Sequence, residues 1–463
     1  MLILDDTITA IATPLGAGGL GVIRLSGTQA IEVASLLFQG PPSLKNSPSH
    51  TLHHGVLKEG TEILDDVVVG LFRAPRSYTG EDVVEFSCHG GAQVLRRVLE
   101  SCLRAGARMA DPGEFTRRAF VNGKMDLTQA EAVGDLIAAR SDAQRRLALD
   151  ALHGKITRPI QPLRDKLLHL LAHLEAHLDF VEDEIPDLSR AGLRDELRFT
   201  REALETLVGT PGRHRLWREG VRVAIVGRPN AGKSSLFNAF LQENRAIVAA
   251  VPGTTRDTLE ESVVWDGVPL TLVDTAGLRE TDDRVEKEGA DRARQALAGA
   301  NLIFFVVDAE NGPRSEDREV AKTVGDRPTI LVLNKIDRVT GPPLASLESR
   351  WRRGLPWEEA PVSLVSARTS IGLRELGRAA LRLAGAGEEP HEPGIVLNAR
   401  QGERLREAID ALSRALTGVD AGVPEEALAI ELRLTLGALN NLTGQGAPEE
   451  VLDAIFSRFC VGK

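Results

Sequence analysis

A stretch in the middle of the chain, VRVAIVGRPNAGKSSLFNAF (Val221–Phe240), leaves little freedom of local structure. VRVAIV is short, apolar and rich in β-branched residues, the pattern of a strand buried on both faces of a sheet. GRPNAGKS (Gly227–Ser234) fits G-x-x-x-x-G-K-[ST] and has the strand before it and the helix after it that this motif requires. The glycines let backbone N–H groups curl around phosphate oxygens, and Lys233 brings a positive charge to the β- and γ-phosphates. The Ser234 hydroxyl is a magnesium ligand, and the helix N-terminus adds its partial positive charge. A chain with this unit at its centre is committed to an α/β sheet around it.

The runs that follow agree. LTLVDTAG, LIFFVVDA, TILVLNK and PVSLVSA alternate with helical segments, which predicts a mostly parallel sheet with helices on both faces. Their ends carry the remaining nucleotide motifs. In DTAG (Asp274, Thr275, Ala276, Gly277), the aspartate reaches magnesium through water and the glycine N–H meets the γ-phosphate. In VPGTTRD (Val251–Asp257), Thr255 covers the metal and reports the γ-phosphate. In NKID (Asn334–Asp337), the Asp337 carboxylate accepts from the ring N–H and amino group of guanine. Adenine has no such pair and would leave the carboxylate unpaired. SAR (Ser366, Ala367, Arg368) supports the base. Together these elements specify GTP and GDP. Leu278 stands where Ras-like proteins carry the glutamine that orients water. Another residue must do so, and the acidic stretch RETDDRVEKEG just beyond offers several. Asn230, inside the phosphate loop, can bind a monovalent cation that supplies the charge an arginine finger brings elsewhere.

Around this domain the pattern changes. Residues 1–120 mix strand signals (TITAIATP, LGVIRLSG, DDVVVGLF, DVVEFSCHGG) with helical ones (AIEVASLLF, AQVLRRVLESCLRAG), an α+β unit. Residues 121–215 read as helical, with Leu163, Leu167, Leu171, Leu174, Leu178 and Val181 forming one apolar stripe. The GTPase domain is placed at 216–385, and 386–463 is helical again. The two helical segments are expected to pack as one bundle into which the α/β domain is inserted; two separate bundles are the alternative. Cys88, Cys102 and Cys460 form no cluster, which fits a reducing cytoplasm rather than a disulfide framework. The start, MLILDDTITA, lacks the basic flank of a signal peptide, and no apolar run approaches membrane-spanning length. A net charge of −10 argues against a uniformly basic nucleic-acid binder, though not against a local basic patch. His169, His173 and His177 recur four apart but lack a fourth ligand, and are read as the polar flank of the leucine stripe.

Over its whole length the chain resembles the bacterial and organellar tRNA-modification GTPases of the MnmE (TrmE) family. The resemblance rests on DTITAIATPLGAGGLGVIRLSG, SYTGEDVVEFSCHGG, PGEFTRRAFVNGKMDLTQAEAVGDLI, the GTP motifs with PGTTRD, and FCVGK at the end. It implies a multidomain protein: an α+β folate-binding-like N-terminal domain, an all-α helical domain and an inserted α/β P-loop GTPase domain. It implies a potassium-dependent GTPase that works with the flavin-dependent partner MnmG (GidA), in a heterotetramer. Together they add an aminomethyl or carboxymethylaminomethyl group to carbon 5 of the tRNA wobble uridine. The one-carbon donor is a tetrahydrofolate derivative, 5-formyl- or 5,10-methylene-tetrahydrofolate. The resemblance also implies a homodimer formed through the N-terminal domain, with G domains that associate across it.

Residue by residue, the resemblance implies that Asn230, with Ala249, Val251 and Thr254, holds potassium, and that Ser234 and Thr255 hold Mg2+. It extends the nucleotide site to Ala231, Gly232, Ser235, Ala250, Pro252, Gly253 and Lys335. Glu286 would position the hydrolytic water. Arg24, Glu85, Lys124 and Lys463 would bind the folate, whose pterin edge suits a carboxylate and whose anionic glutamate tail suits Arg or Lys. Cys460 would lie near the reacting carbon, its role as nucleophile or proton donor open. A switch that binds ribosomal RNA during subunit assembly is the competing reading. Such GTPases usually add a basic RNA module, and this acidic chain shows none.

Overall fold

The computed structural model describes residues 6–179, 189–208, 216, 220–243, 260–274, 297, 299–339, 344–353, 355–357, 359–385 and 395–463. By its contacts the chain divides into two compact units. The first comprises 1–137, 149–204 and 403–463, and the second 138–148 and 205–402.

The first unit begins with β1 (Ile8–Ile11), β2 (Gly21–Ser26), α1 (Ala30–Leu37), β3 (Phe38–Gln39), β4 (Thr51–Glu59), β5 (Glu62–Phe72), β6 (Val83–Cys88), α2 (Ala92–Arg104) and β7 (Arg108–Met109). The sheet runs β3-β4-β5-β6-β2-β1-β7 and is antiparallel except where β1 meets β7. Side chains alternate across it. Ile23, Leu25, Val84 and Phe86 turn to a core closed by Ile31, Ala34 and Leu37 of α1 and by Leu95, Val98 and Cys102 of α2. Cys88 and Cys102 are buried there, and burial pushes both thiols up to about 12. On the opposite face Ile8, Ala10, Ala110 and Phe115 form a second, smaller core with Tyr78 packed against it. β4 has no counterpart in the sequence reading. Its TLHHGVLKE is too polar to register as a strand, and its place is set by its long pairing with β5.

Helices α3 (Glu114–Val121), α4 (Leu127–Ala138), α5 (Asp142–Leu152), α6 (Ile160–Asp179) and α7 (Arg190–Val208) follow. In α6 the stripe of Leu163, Leu167, Leu171 and Leu174 is buried; Val181 lies outside the described residues. The half of α5 before Leu149 goes with the second unit, where Ala143 and Leu147 pack on the core.

The second unit holds β8 (Val221–Val226), α8 (Lys233–Glu243), β9 (Glu260–Trp265), β10 (Val268–Asp274), β11 (Leu302–Asp308), α9 (Ser315–Val324), β12 (Thr329–Asn334), α10 (Leu344–Arg352), β13 (Val362–Leu364) and α11 (Leu373–Ala384). The order is β13-β12-β11-β8-β10-β9, parallel except for β9. Every residue of β11 and β12 is buried, as expected of strands covered on both faces. One face carries Val223, Ile225, Phe304 and Phe240, the other Ala224, Val226, Ile303 and Phe305. β9 is absent from the sequence reading; it is the first arm of a hairpin whose turn, Asp266–Gly267, has both residues at positive φ.

The chain ends in α12 (Ala399–Ala421), α13 (Glu425–Thr443) and α14 (Glu449–Phe456). α13 packs against α6. Arg164 Nε donates to Asn440 Oδ1 at 2.7 Å and Arg433 Nε to Glu175 Oε1 at 2.9 Å. Between these ties lie the α6 leucines and Leu432, Leu436 and Leu439. The two helical segments, far apart in sequence, thus belong to one bundle. No described helix is long and apolar enough to cross a membrane.

Candidate functional site

The first candidate site lies at the C-terminal ends of β8, β11 and β12, where ligands gather in open α/β sheets. After β8 the loop Gly227–Gly232 turns tightly. Asn230 is at φ +62° and Gly232 at φ +94°, conformations that cost little only for Gly or Asn. A Cβ on Gly227 would collide with the Val306 carbonyl and one on Gly232 with the Asn334 amide. Lys233 opens α8, is buried, and donates from Nζ to the Arg228 carbonyl at 2.9 Å.

Asn334 stitches three loops together. Its Nδ2 donates to the Ala231 carbonyl at 3.1 Å, and its Oδ1 accepts from the Ala367 N–H at 3.1 Å. Lys335, at φ +65°, extends over the phosphate loop, donating to the Asn230 carbonyl at 2.7 Å and to Asp308 Oδ2 at 2.8 Å. Burial would raise the Asp308 carboxyl, but the Lys335 bond and charge outweigh it and hold the group below its ordinary range. Asp337 Oδ1 accepts from Ser366 Oγ at 2.7 Å, and the same oxygen of Ser366 accepts from the Thr369 N–H. The phosphate loop, NKID and SAR therefore meet in one place. Asp308 was not singled out in the sequence; its signal is an acidic residue closing a wholly apolar strand. Asp274 closes β10, beside Ile225 of β8. The residues 249–255, 275–277 and Glu286 lie outside the described residues.

The second candidate site lies on the smaller-core face of the first unit's sheet. Arg24 of β2 and Glu85 of β6 are directly opposed, and Arg24 Nε donates to Glu85 Oε1 at 2.8 Å. The guanidinium stands over the rings of Tyr78 at 5.5 Å and Phe115 at 5.6 Å. The last residues of the chain arrive at the same point: Arg24 NH1 donates to the Gly462 carbonyl at 3.3 Å. Gly462 is buried with φ +99°, and a Cβ there would stand 2.5 Å from the Ile11 carbonyl. Lys463 is half-buried. Burial and the nearby Arg24 charge lower its ammonium pKa, while Glu85 and Cys460 pull the other way. Lys124 makes a different contact, from Nζ to the Pro75 carbonyl at 2.9 Å.

What holds the tail is a notch made of two glycines. Phe459 packs against Gly113, the left-handed residue before α3, and Gly134 of α4; added Cβ atoms there would lie 3.0 Å from the Phe459 Cβ and 3.1 Å from its ring. Phe456 is buried against Leu127 and Ala130. Arg117 pairs with Asp453 at 2.7 Å, and the Gly113 N–H donates to the Cys460 carbonyl at 3.4 Å. The Cys460 side chain is exposed.

A mainly parallel sheet with this phosphate loop and this Asn-Lys-x-Asp segment defines a P-loop protein of the guanine-nucleotide type. The model of the MnmE helical domain matches residues 127–460, and that of the GTP-binding protein TrmE N-terminus matches residues 7–124. The chain is 45% identical to the tRNA modification GTPase MnmE of Symbiobacterium thermophilum, covering 99% of this chain and 100% of the relative. It is 45% identical to the protein of that name from Moorella thermoacetica, with the same coverage. For that from Acetivibrio thermocellus the identity is 39%, with 99% of each covered. The chain belongs to the MnmE family of tRNA modification GTPases.

Proposed function

We propose that this chain hydrolyses GTP and, with a flavin-dependent partner of the MnmG (GidA) type, modifies carbon 5 of the tRNA wobble uridine using a tetrahydrofolate one-carbon donor. The observation that supports this best is the presence, in one chain, of two sites of different chemistry. A guanine-nucleotide cradle stands in the second unit, and an Arg24–Glu85–Lys463 cluster, completed by the chain's own tail, stands in the first. In the cradle, Lys233 and the loop N–H groups receive the phosphates, and Asp337 reads the base. Ser234 and Thr255 would hold magnesium, and Asn230 with Ala249, Val251 and Thr254 would hold potassium. Bound there, these cations would supply positive charge to the phosphates. Glu286 orients the attacking water.

The second cluster fits a folate by its donor set. Glu85 offers a carboxylate to the pterin amino and ring N–H groups. Arg24 and Lys463 are cations crowded and partly withdrawn from water, the setting in which an anionic glutamate tail relieves repulsion. Lys124 adds a further cation for the tail. Cys460 acts near the transferred carbon, and Phe459 keeps it there. The protein works in the cytoplasm as a homodimer joined through the N-terminal domain. The ribosome-assembly reading draws no support from the relatives, which are named for tRNA modification along their full length.

The test measures GTP hydrolysis in potassium and in sodium, binding of 5-formyl-tetrahydrofolate, and wobble-uridine modification in cells with Cys460→Ser. Faster hydrolysis in potassium, folate binding, and loss of modification with hydrolysis intact are expected. Absence of folate binding together with normally modified tRNA in cells lacking the protein would overturn the reading.

A further inference from the structure

The phosphate-loop motif leaves its second position open, and in this chain it is filled by Arg228, which is buried. Buried arginines need a partner. This one faces Asp317, wholly buried in the first turn of α9, with Arg228 Nε 3.3 Å from Asp317 Oδ1. The N–H is not aligned for a hydrogen bond, and among the described residues neither atom has another hydrogen-bond partner. The other carboxylate oxygen, Asp317 Oδ2, accepts from the Arg314 N–H at 3.0 Å, so the aspartate is fixed to its helix.

The backbone of Arg228 has its own task. Its carbonyl accepts from Lys233 Nζ at 2.9 Å and from the Ala231 N–H at 3.4 Å. One peptide oxygen therefore both closes the loop's turn and sets the direction in which the catalytic-site ammonium points. A buried ion pair is a poor way to gain stability, because desolvation offsets the Coulomb attraction. It is an effective way to fix a position, since either charge left alone would have to move toward water.

We propose that Arg228 is a positioning residue for GTP hydrolysis: clamped by Asp317, it holds the carbonyl that aims Lys233 at the β- and γ-phosphates. The clamp ties the phosphate loop to α9, an element that carries none of the nucleotide motifs in its own sequence. Its effect falls chiefly on the phosphate end of the site, because the base is met by Asp337, held by Ser366, and the two ends are linked only indirectly, through Asn334 and the Ala231 carbonyl.

The test compares Arg228→Gln, Asp317→Asn, the double variant and Arg228→Lys in the full chain. Affinities for a non-hydrolysable GTP analogue and for GMP are measured with kcat, KM and the thermal midpoint. GMP lacks the phosphates that Lys233 meets and serves as the internal control. For Arg228→Gln and Asp317→Asn, affinity for the GTP analogue falls about tenfold, the worth of one charge-assisted hydrogen bond, with GMP affinity unchanged. The double variant is no worse than the worse single one, because the pair acts as a unit. Arg228→Lys, which keeps the charge, recovers most of the loss. Equal loss for GTP analogue and GMP, no loss for either, or additive losses would each overturn the proposal. If Arg228→Gln does not fold, the same ratio read on Asp317→Asn and Arg228→Lys decides: a wild-type ratio in both rejects it.

Discussion

Gly113→Ala is the sharpest probe of how the tail is held. Gly113 sits at φ +69° just before α3, and a methyl there would lie 2.7 Å from the Phe456 carbonyl, 3.0 Å from the Phe459 Cβ and 3.1 Å from the Phe456 Cβ. Two costs follow, and they report differently. A non-glycine residue in the left-handed region costs about 1–2 kcal/mol. That strain persists whether or not the tail is docked, and is released only when the start of α3 unfolds. The clash with the end of α14 costs about 1–3 kcal/mol, as for overpacking elsewhere, and is relieved as soon as the tail lifts. Urea unfolding should therefore register a loss of stability of the first unit by at least the backbone cost. Tail opening should become roughly 5- to 140-fold more favourable, the clash converted at about 1.4 kcal/mol per tenfold. Trypsin reads the second quantity. Cleavage after the exposed Arg458 requires the tail to leave its notch, and its rate follows the open population when reclosing is fast. Release of the Phe459–Lys463 peptide, followed by mass spectrometry, should accelerate by that factor, while GTP hydrolysis is unchanged. Release at the wild-type rate would refute the idea that the Gly113 notch holds the tail.

Gly437, inside α13 with open space around its missing side chain, is the contrasting glycine: Gly437→Ala should raise stability in the same urea experiment by about 0.5–1 kcal/mol. Arg118→Met should destabilise by about 3–5 kcal/mol in urea at neutral pH, because wholly buried Arg118 is shared by Asp6, Glu81 and Glu114. Burial would raise Glu114, yet bonds from Arg108, the Asp111 N–H and Arg118 hold it below the carboxylate range, and Asp6 behaves likewise. Their stabilisation is thus complete above the ordinary carboxylate pKa and lost as pH falls through the depressed folded values; acid titration of Arg118→Met should show a smaller part of this loss. Asp337→Asn should weaken GTP roughly 100-fold or more, since two charge-assisted bonds to guanine are worth about 3 kcal/mol or more, and should favour xanthosine triphosphate, measured by competition.

Much of this was legible in the sequence where local pattern and chemistry coincide. The β-branched runs of the second unit announce β8 and β10 to β13, and the motifs at their ends announce what gathers there. β4 was invisible because its polar residues are held in a strand by pairing, along its whole length with β5 and at Val56 and Leu57 with β3. β9 was missed although Asp266–Gly267 is a hairpin signal, since its arm, EESVVW, begins with two acidic residues. The Arg228–Asp317 pair could not be read because the two residues are far apart in sequence and neither position is specified by a motif. The tail notch escaped for a similar reason. Gly113 and Gly134 matter for the atoms they lack, and only the fold shows what fills the space. For FCVGK the resemblance pointed to the folate site, and the structure adds its anchors: Phe459 between two glycines, and Gly462 against Ile11.

The order of synthesis gives the docked tail a further meaning. Arg24 and Glu85 leave the ribosome early, but Gly462 and Lys463, which join them, emerge much later. The second unit, which carries the nucleotide cradle, ends at residue 402, and domains fold as units during synthesis, so it is made before the tail. A product that stops before Phe459 would therefore keep the second unit whole but lack Gly462 and Lys463, which stand beside Arg24 and Glu85.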